Sequence, residues 1–184
     1  MGGKIKVMKL YLVRHGQTDW NVAHLAQGRT DVPLNEIGIM QAKELRDKVR
    51  DMKFDACYSS PLERAMETAK IVVDGRCKII KDNLLVERCF GDYEGRTPPG
   101  DWLKYWSFGY NEDSAGMEPL EDVFERTKIF LDKLKKTHAP GDSILVVGHG
   151  GTLKTMHYNI VGYDDNTDLM ETHFGNGEIW EYEI

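Results

Sequence analysis

Four apolar runs of strand length punctuate the chain: "KLYLV" at 9–13, "FDACY" at 54–58, "CKII" at 77–80 and "SILVV" at 143–147. Longer amphipathic stretches separate most of them. Strands that alternate with helices have few compact solutions, because parallel neighbours need crossover connections and the crossing helices must cover the two faces of the sheet. The alternation therefore predicts an α/β chain, a three-layer α/β/α sandwich around a mostly parallel central sheet. The closing "GEIWEYEI" at 177–184 alternates apolar and acidic residues and reads as a half-exposed antiparallel edge strand.

The helices between the strands carry their own punctuation. Asn35 is placed to cap a helix whose apolar positions Ile37, Met40, Leu45, Val49 and Met52 recur at helical spacing. In "SSPLERAMETA" at 59–69, Ser60 is the expected N-cap, Pro61 the first helical residue and Glu63 the partner of a capping box. Val123, Phe124, Phe130, Leu131 and Leu134 form a third stripe that runs into Lys135, Lys136 and His138, cations suited to the carboxyl end of a helix. A fourth helix should start at Gly150 and reach about Val161. We expect one domain over 1–184. Residues 95–117 stand apart within it, rich in Pro, Gly and aromatic residues without strand or helix period, and are expected to form a lid over the substrate.

Two strand exits share an unusual design. "YLVRHGQT" and "ILVVGHGG" each drive an apolar strand into a His-Gly step, and "ACYSSPLER" drives a third into a helix start that carries Arg64. Ligands in open α/β sheets bind beyond the carboxyl ends of the strands, so Arg14, His15, Arg64 and His149 should meet at one rim. Two guanidiniums offer planar donor forks that match phosphate oxygens and keep their charge at neutral pH. An imidazole with one nitrogen held by an acceptor is a competent nucleophile through the other. The glycines let backbone approach an anion, including the amide of Gly150 at a helix start.

The segments "RHGQTDWN", "SSPLERAMETA", "ERCFGDYEG" and "VVGHGG", in this order across most of the chain, resemble the histidine phosphatase superfamily, the phosphoglycerate-mutase-like group. The resemblance implies that His15 becomes phosphohistidine, that Arg14, Arg64 and His149 surround the phosphoryl group, and that Asn21 contacts phosphate or nearby substrate. It gives Glu87 the role of general acid, with Glu94 in "DYEG" as its rival, and it places Gln27 and Gly28 at the substrate entrance. Gln17 stands where many relatives carry Glu and receives no catalytic role. The implied activity is hydrolysis of phosphate monoesters; the alternative within the family is a cofactor-dependent phosphoglycerate mutase, whose larger and more basic lid this chain lacks. A metal-dependent hydrolase built on His149 and Glu87 is the second alternative, against which the adjacent arginines would repel a divalent cation. Neither a metal nor another cofactor is expected.

Lys and Arg total 24 against 30 Asp and Glu, a net charge of −6. That balance speaks against a broad nucleic-acid or anionic-membrane surface while leaving room for a few focused cations around a small phosphorylated substrate. No apolar run nears membrane-spanning length, and the run after the basic leader is too short for a signal-peptide core. Cys57, Cys77 and Cys89 are odd in number and lack a Cys-x-x-Cys pair, as in a reducing compartment; a cytoplasmic monomer or homodimer is expected. His24, His138, His157 and His173 lack a comparable setting and read as structural or solvent-facing. Trp102, Tyr105, Trp106, Phe108 and Tyr110 suit core packing or a flap that sets substrate size, with Glu118 and Arg126 as further candidates for the flap.

Overall fold

The computed structural model describes residues 6–110, 116–164 and 166–184; the first five residues of the basic leader and residues 111–115 of the 95–117 segment lie outside them. In chain order the main elements are β1 (Lys9–Arg14), α1 (Asp19–Val22), α2 (Glu36–Lys48), β2 (Ala56–Ser59), α3 (Glu63–Val73), β3 (Ile79–Lys81), α4 (Leu120–Thr137), β4 (Ser143–Gly148), α5 (Gly150–Val161) and β5 (Ile179–Glu183). The five strands lie in the order β3-β2-β4-β1-β5. All neighbours are parallel except β5, which runs antiparallel to β1 at the edge. Each expected strand is present, with its boundaries shifted by a residue or two.

Burial on both faces explains why the inner strands read as unbroken apolar runs. Leu10, Leu12, Ile144 and Val146 face Phe130, Leu134, Leu153 and Met156 of α4 and α5. Tyr11, Val13, Leu145 and Val147 face Ala42, Leu45, Ala65, Ala69 and Val72 of α2 and α3. A third cluster lies under the aromatic segment, where Tyr105 and Trp106 join Ala26, Phe90, Met117, Leu120, Phe124 and Leu169. The five aromatics of that segment are thus largely committed to packing, and Trp102–Trp106 is a short 3₁₀ turn.

Two helix readings need correction. Leu45 and Val49 are buried as expected, but Ile37 and Met40 are exposed, and Gly38 and Ala42 are buried in their place. The cause is a backbone contact: a Cβ on Gly38 would lie 2.1 Å from the Gln17 carbonyl oxygen, and one on Gly16 would lie 2.4 Å from that of Gly38. The first turn of α2 is pressed against the loop that follows His15, which turns Ile37 and Met40 outward. Asn35 caps the helix as expected, its Oδ1 accepting from Gly38 N at 2.9 Å. At α3 the expected capping box is absent. The helix begins at Glu63 without a cap from Ser60, and the Glu63 amide donates to Asp31 Oδ1 at 2.7 Å. Ser60 is engaged with His149.

Candidate active site

Adjacent strands bring the two His-Gly steps side by side. Arg14 is in register with Gly148, and the His15 amide donates to the Gly148 carbonyl at 3.0 Å. The two imidazoles consequently face one another with ring centroids 5.1 Å apart. Beyond them opens a cavity of about 200 Å³ lined by Arg14, His15, Asn21, Gln27, Gly28, Arg64 and Glu87, with Leu25, Ala26, Phe90, Pro98 and Trp102 completing the wall.

His15 has its tautomer fixed by geometry. Its Nδ1 lies 2.7 Å from the Gly16 carbonyl, which can only accept, so Nδ1 carries the proton. Burial, followed by the positive charges of Arg64 and Arg14, holds its pKa well below the ordinary histidine value. The ring is therefore neutral at physiological pH, and the lone pair on Nε2 is available. The loop that presents it is anchored from three sides: Gly16 N donates to Thr68 Oγ1 at 3.1 Å, Asn176 Nδ2 donates to the His15 carbonyl at 2.9 Å, and the Gly16–Gly38 contact closes the third.

Arg64 is wholly buried. Its Nη1 and Nη2 donate to the carbonyls of Thr30 and Gly28 at 2.8 and 2.7 Å, and its Nε donates to His149 Nδ1 at 3.2 Å. The guanidinium is a donor only, so His149 accepts at Nδ1, carries its proton on Nε2 and donates to Ser60 Oγ at 2.7 Å. Burial, then Arg64, also holds His149 well below the usual imidazole range. His149 and Gly150 do not line the cavity. They lie beside it, His149 linked to it through Arg64 and the Gly150 backbone packed against the Arg14 guanidinium.

Arg14 donates Nη1 to the Phe174 carbonyl at 2.7 Å, while its buried Nε has no hydrogen-bond partner among the described residues. A buried donor left open in the wall of a cavity suits an anionic ligand. Burial lowers the pKa of both arginines, and Glu87 acts against it in each case. Asn21 lies in the short α1 turn with Thr18 as its cap. Its Oδ1 accepts from Thr18 N at 3.1 Å and from Asn176, so the group it can offer the cavity is the donor Nδ2. Gln27 is held similarly, with Oε1 accepting from Thr18 Oγ1 at 3.0 Å.

The two rival carboxylates differ in their surroundings. Glu87 lines the cavity and docks on the amino end of α5: Oε1 accepts from Arg88 N at 2.8 Å and Thr152 N at 3.0 Å, and Oε2 accepts from Gly151 N at 3.0 Å. A Cβ on Gly151 would fall 2.7 Å from both Glu87 Oε1 and the Trp106 ring, so this approach requires glycine. Glu94 instead fastens the 28–30 loop, accepting from Arg29 N, Thr30 N, Thr30 Oγ1 and Phe90 N. Burial raises its pKa, and the bonds from Thr30, Arg29 and Phe90 overcome this and leave it lowered. Glu118 forms a partly buried ion pair with Arg126 at 2.9 Å and also holds Arg29 at 3.0 Å; neither Glu118 nor Arg126 reaches the cavity. Among the described residues, no group of three or more His, Cys, Asp or Glu side chains is placed to hold a metal ion.

Several contributors escape a linear reading. Ser60 and Thr68 lie inside a quoted segment, but their partners are tertiary. Asn176 is remote along the chain from His15 and Asn21, the residues it bonds, and Leu25 and Ala26 come from one loop and Pro98 from another, without period.

Lys154, in α5, is buried with Nζ 3.4 Å from Met170 Sδ and 5.0 Å from the centre of the Trp106 ring. Burial pulls its pKa down from 10.5 to about 8, against Glu87 and Asp168. Between these values the unfolded chain binds a proton that the native protein does not, so this residue makes stability rise with pH there and costs most below about 8. Lys154→Met is expected to stabilise the fold at pH 7 by on the order of 1–3 kcal/mol, with the gain fading toward pH 10.5. Urea denaturation at pH 7 and pH 10 checks this; a variant less stable than wild type at pH 7 would refute it.

Comparison with known proteins agrees with this architecture. The model of the histidine phosphatase superfamily (branch 1) matches residues 10–184. An uncharacterized phosphatase, PhoE, of Bacillus subtilis is 34% identical over 174 residues, covering 92% of this chain and 88% of that protein. A 2,3-bisphosphoglycerate-dependent phosphoglycerate mutase of Mesorhizobium japonicum is 31% identical over 189 residues, covering 95% and 91%. The crystal structure of phosphoserine phosphatase from Entamoeba histolytica in complex with 3-phosphoglyceric acid superposes with a TM-score of 0.81 at 30% identity, covering 95% of this chain and 89% of that one. With the sheet order, the paired His-Gly exits and a family match over nearly its whole length, the chain belongs to the histidine phosphatase superfamily.

Proposed function

We propose that this protein hydrolyses phosphate monoesters through a phosphohistidine on His15, with Glu87 as general acid and then general base, and without a metal. One observation carries the reading: a neutral imidazole with Nδ1 bound to the Gly16 carbonyl, and hence Nε2 unprotonated, lines the same small cavity as Arg14, Arg64 and Glu87.

In the first step Nε2 attacks phosphorus and the ester P–O bond breaks, with the leaving oxygen taking a proton from Glu87. In the second, Glu87 accepts a proton from water as that oxygen attacks phosphorus, the N–P bond breaks, and phosphate leaves. Oε2 suits the proton-carrying role because Gly151 N is its one partner among the described residues, whereas Oε1 has several. Arg14 and Arg64 meet the charge on the phosphoryl oxygens; arginines in this role elsewhere contribute about 10³–10⁵ in rate. The Nδ1 bond to Gly16 supports the imidazolium formed by phosphorylation. His149 stays neutral and steadies Arg64 and Ser60.

The test exploits the two uses of one carboxyl group. With p-nitrophenyl phosphate, whose leaving group needs no proton, Glu87→Gln should still phosphorylate while water activation fails. Turnover should fall about 10²–10⁴-fold as acid-labile phosphate accumulates on the protein after acid quench. Glu94→Gln should lower stability more than it changes the chemical steps. Loss of rate in Glu94→Gln with Glu87→Gln unaffected would reverse the assignment, and loss of activity in EDTA would favour the metal-dependent alternative. The mutase relatives set one further control: a mutase would return the phosphoryl group to an alcohol and require a bisphosphorylated primer, whereas a hydrolase releases inorganic phosphate without one.

A further inference from the structure

We infer that the cavity selects phosphate monoesters of small, uncharged, largely apolar or aromatic alcohols and discriminates against esters that carry a carboxylate or a second phosphate. The inference rests on the proposed hydrolase reading and sharpens it.

The wall of the cavity has a charged part and an apolar part, with the neutral polar Asn21 and Gln27 and the backbone of Gly28 between them. Arg14, His15, Arg64 and Glu87 stand at strand exits or at the amino end of α5, and supply the charges that a phosphoryl group needs. Leu25, Ala26, Phe90, Pro98 and Trp102 come from the overlying loops and supply no charge. Phe90 and Trp102 meet edge to face at 5.2 Å, which makes a fixed aromatic corner. At about 200 Å³ the cavity falls below the usual range for drug-sized ligands, so the alcohol must be small.

A second anionic group on the substrate would need a second cation, and the neighbouring ones stand outside the cavity wall. Arg29 is paired with Glu118 at 3.0 Å and donates Nε to the Glu87 carbonyl. Arg88 donates to the carbonyls of Glu118 and Tyr105 and lies over the Trp106 ring. Lys154 is buried against Met170 and Trp106. None of the three lines the cavity. Residues 111–115, outside the described set, include no Lys or Arg. Arg96 neighbours the rim through the bond from Ala26 N to its carbonyl, but its side chain is exposed and does not line the cavity. A carboxylate placed among Leu25, Phe90 and Trp102 would lose its hydration with no cation in that part of the wall to replace it, only the neutral amides of Asn21 and Gln27 nearby, and would share the cavity with the Glu87 carboxyl. A polar group that a site cannot pair is where discrimination becomes large.

The test is kcat/KM for wild-type protein on benzyl phosphate, glycerol phosphate, phosphoserine and 3-phosphoglycerate. Benzyl phosphate should exceed each carboxylated ester by at least about tenfold, with glycerol phosphate between. Trp102→Ala should narrow the ratio of benzyl to glycerol phosphate, and Arg96→Ala should leave the ranking unchanged. Phosphoserine or 3-phosphoglycerate matching benzyl phosphate would overturn the inference, as would a selective loss of the carboxylated substrates in Arg96→Ala. Failure to hydrolyse any of the esters, or hydrolysis that survives His15→Ala, would instead strike the hydrolase reading itself.

Discussion

His15→Ala should lose phosphatase turnover by about 10⁴-fold or more and should trap no acid-labile phosphate. The size of the effect follows from the absence of a substitute. His149 is the nearest imidazole, but its Nε2 proton is given to Ser60 and its Nδ1 is occupied by Arg64, so neither nitrogen is free to attack. Water could enter the vacated space, yet it would lack a base positioned at the original nucleophile. The variant should still fold: its side-chain hydrogen bond is a single contact to the adjacent Gly16 carbonyl, and the loop keeps its bonds to Thr68, Asn176 and Gly148. Kinetics on a good substrate, with acid quench and a thermal melt, decide the matter. A folded His15→Ala protein turning over within tenfold of wild type would overturn the covalent mechanism.

Arg64→Ala should injure both rate and stability. The rate should fall about 10³-fold or more through loss of the charge opposite the transferring phosphoryl group. Stability should fall by on the order of 3 kcal/mol or more, because Gly28 O, Thr30 O and His149 Nδ1 lose their donor and a large buried volume empties. Arg64→Lys separates the two effects: it keeps a cation but cannot reach three acceptors with a planar fork, so it should regain part of the stability and little of the rate. Urea titration beside kcat/KM measures both. Near-normal catalysis in a folded Arg64→Ala protein would remove Arg64 from the phosphoryl site.

What could be read along the chain depended on how local each signal was. Strand runs buried on both faces, the α4 stripe and the Asn35 cap survive intact because their causes lie within a few residues. Ser60 does not make the expected capping box, since α3 starts later: its Oγ accepts from Leu62 N and from His149, while the Glu63 amide is taken by Asp31. The outward turn of Ile37 and Met40 depends on Gly16 and Gly38 meeting, a contact between segments that no periodicity records. Glu87 and Glu94 are only seven residues apart, and what separates them is α5, which arrives from far along the sequence. The apolar half of the cavity was the least accessible, because Leu25, Phe90, Pro98 and Trp102 share a wall but no local pattern.

The shared rung at Arg14 and Gly148 has an evolutionary corollary. Because the facing imidazoles each follow that rung by one residue on adjacent strands, the gap between them is inherited from interstrand spacing, about 4.8 Å in any sheet, and cannot drift without unzipping the middle of the molecule. Adaptation to new esters is thereby channelled into the loops overhead. A library randomised at Leu25, Ala26, Pro98 and Trp102 explores new diets while the engine beneath stays fixed.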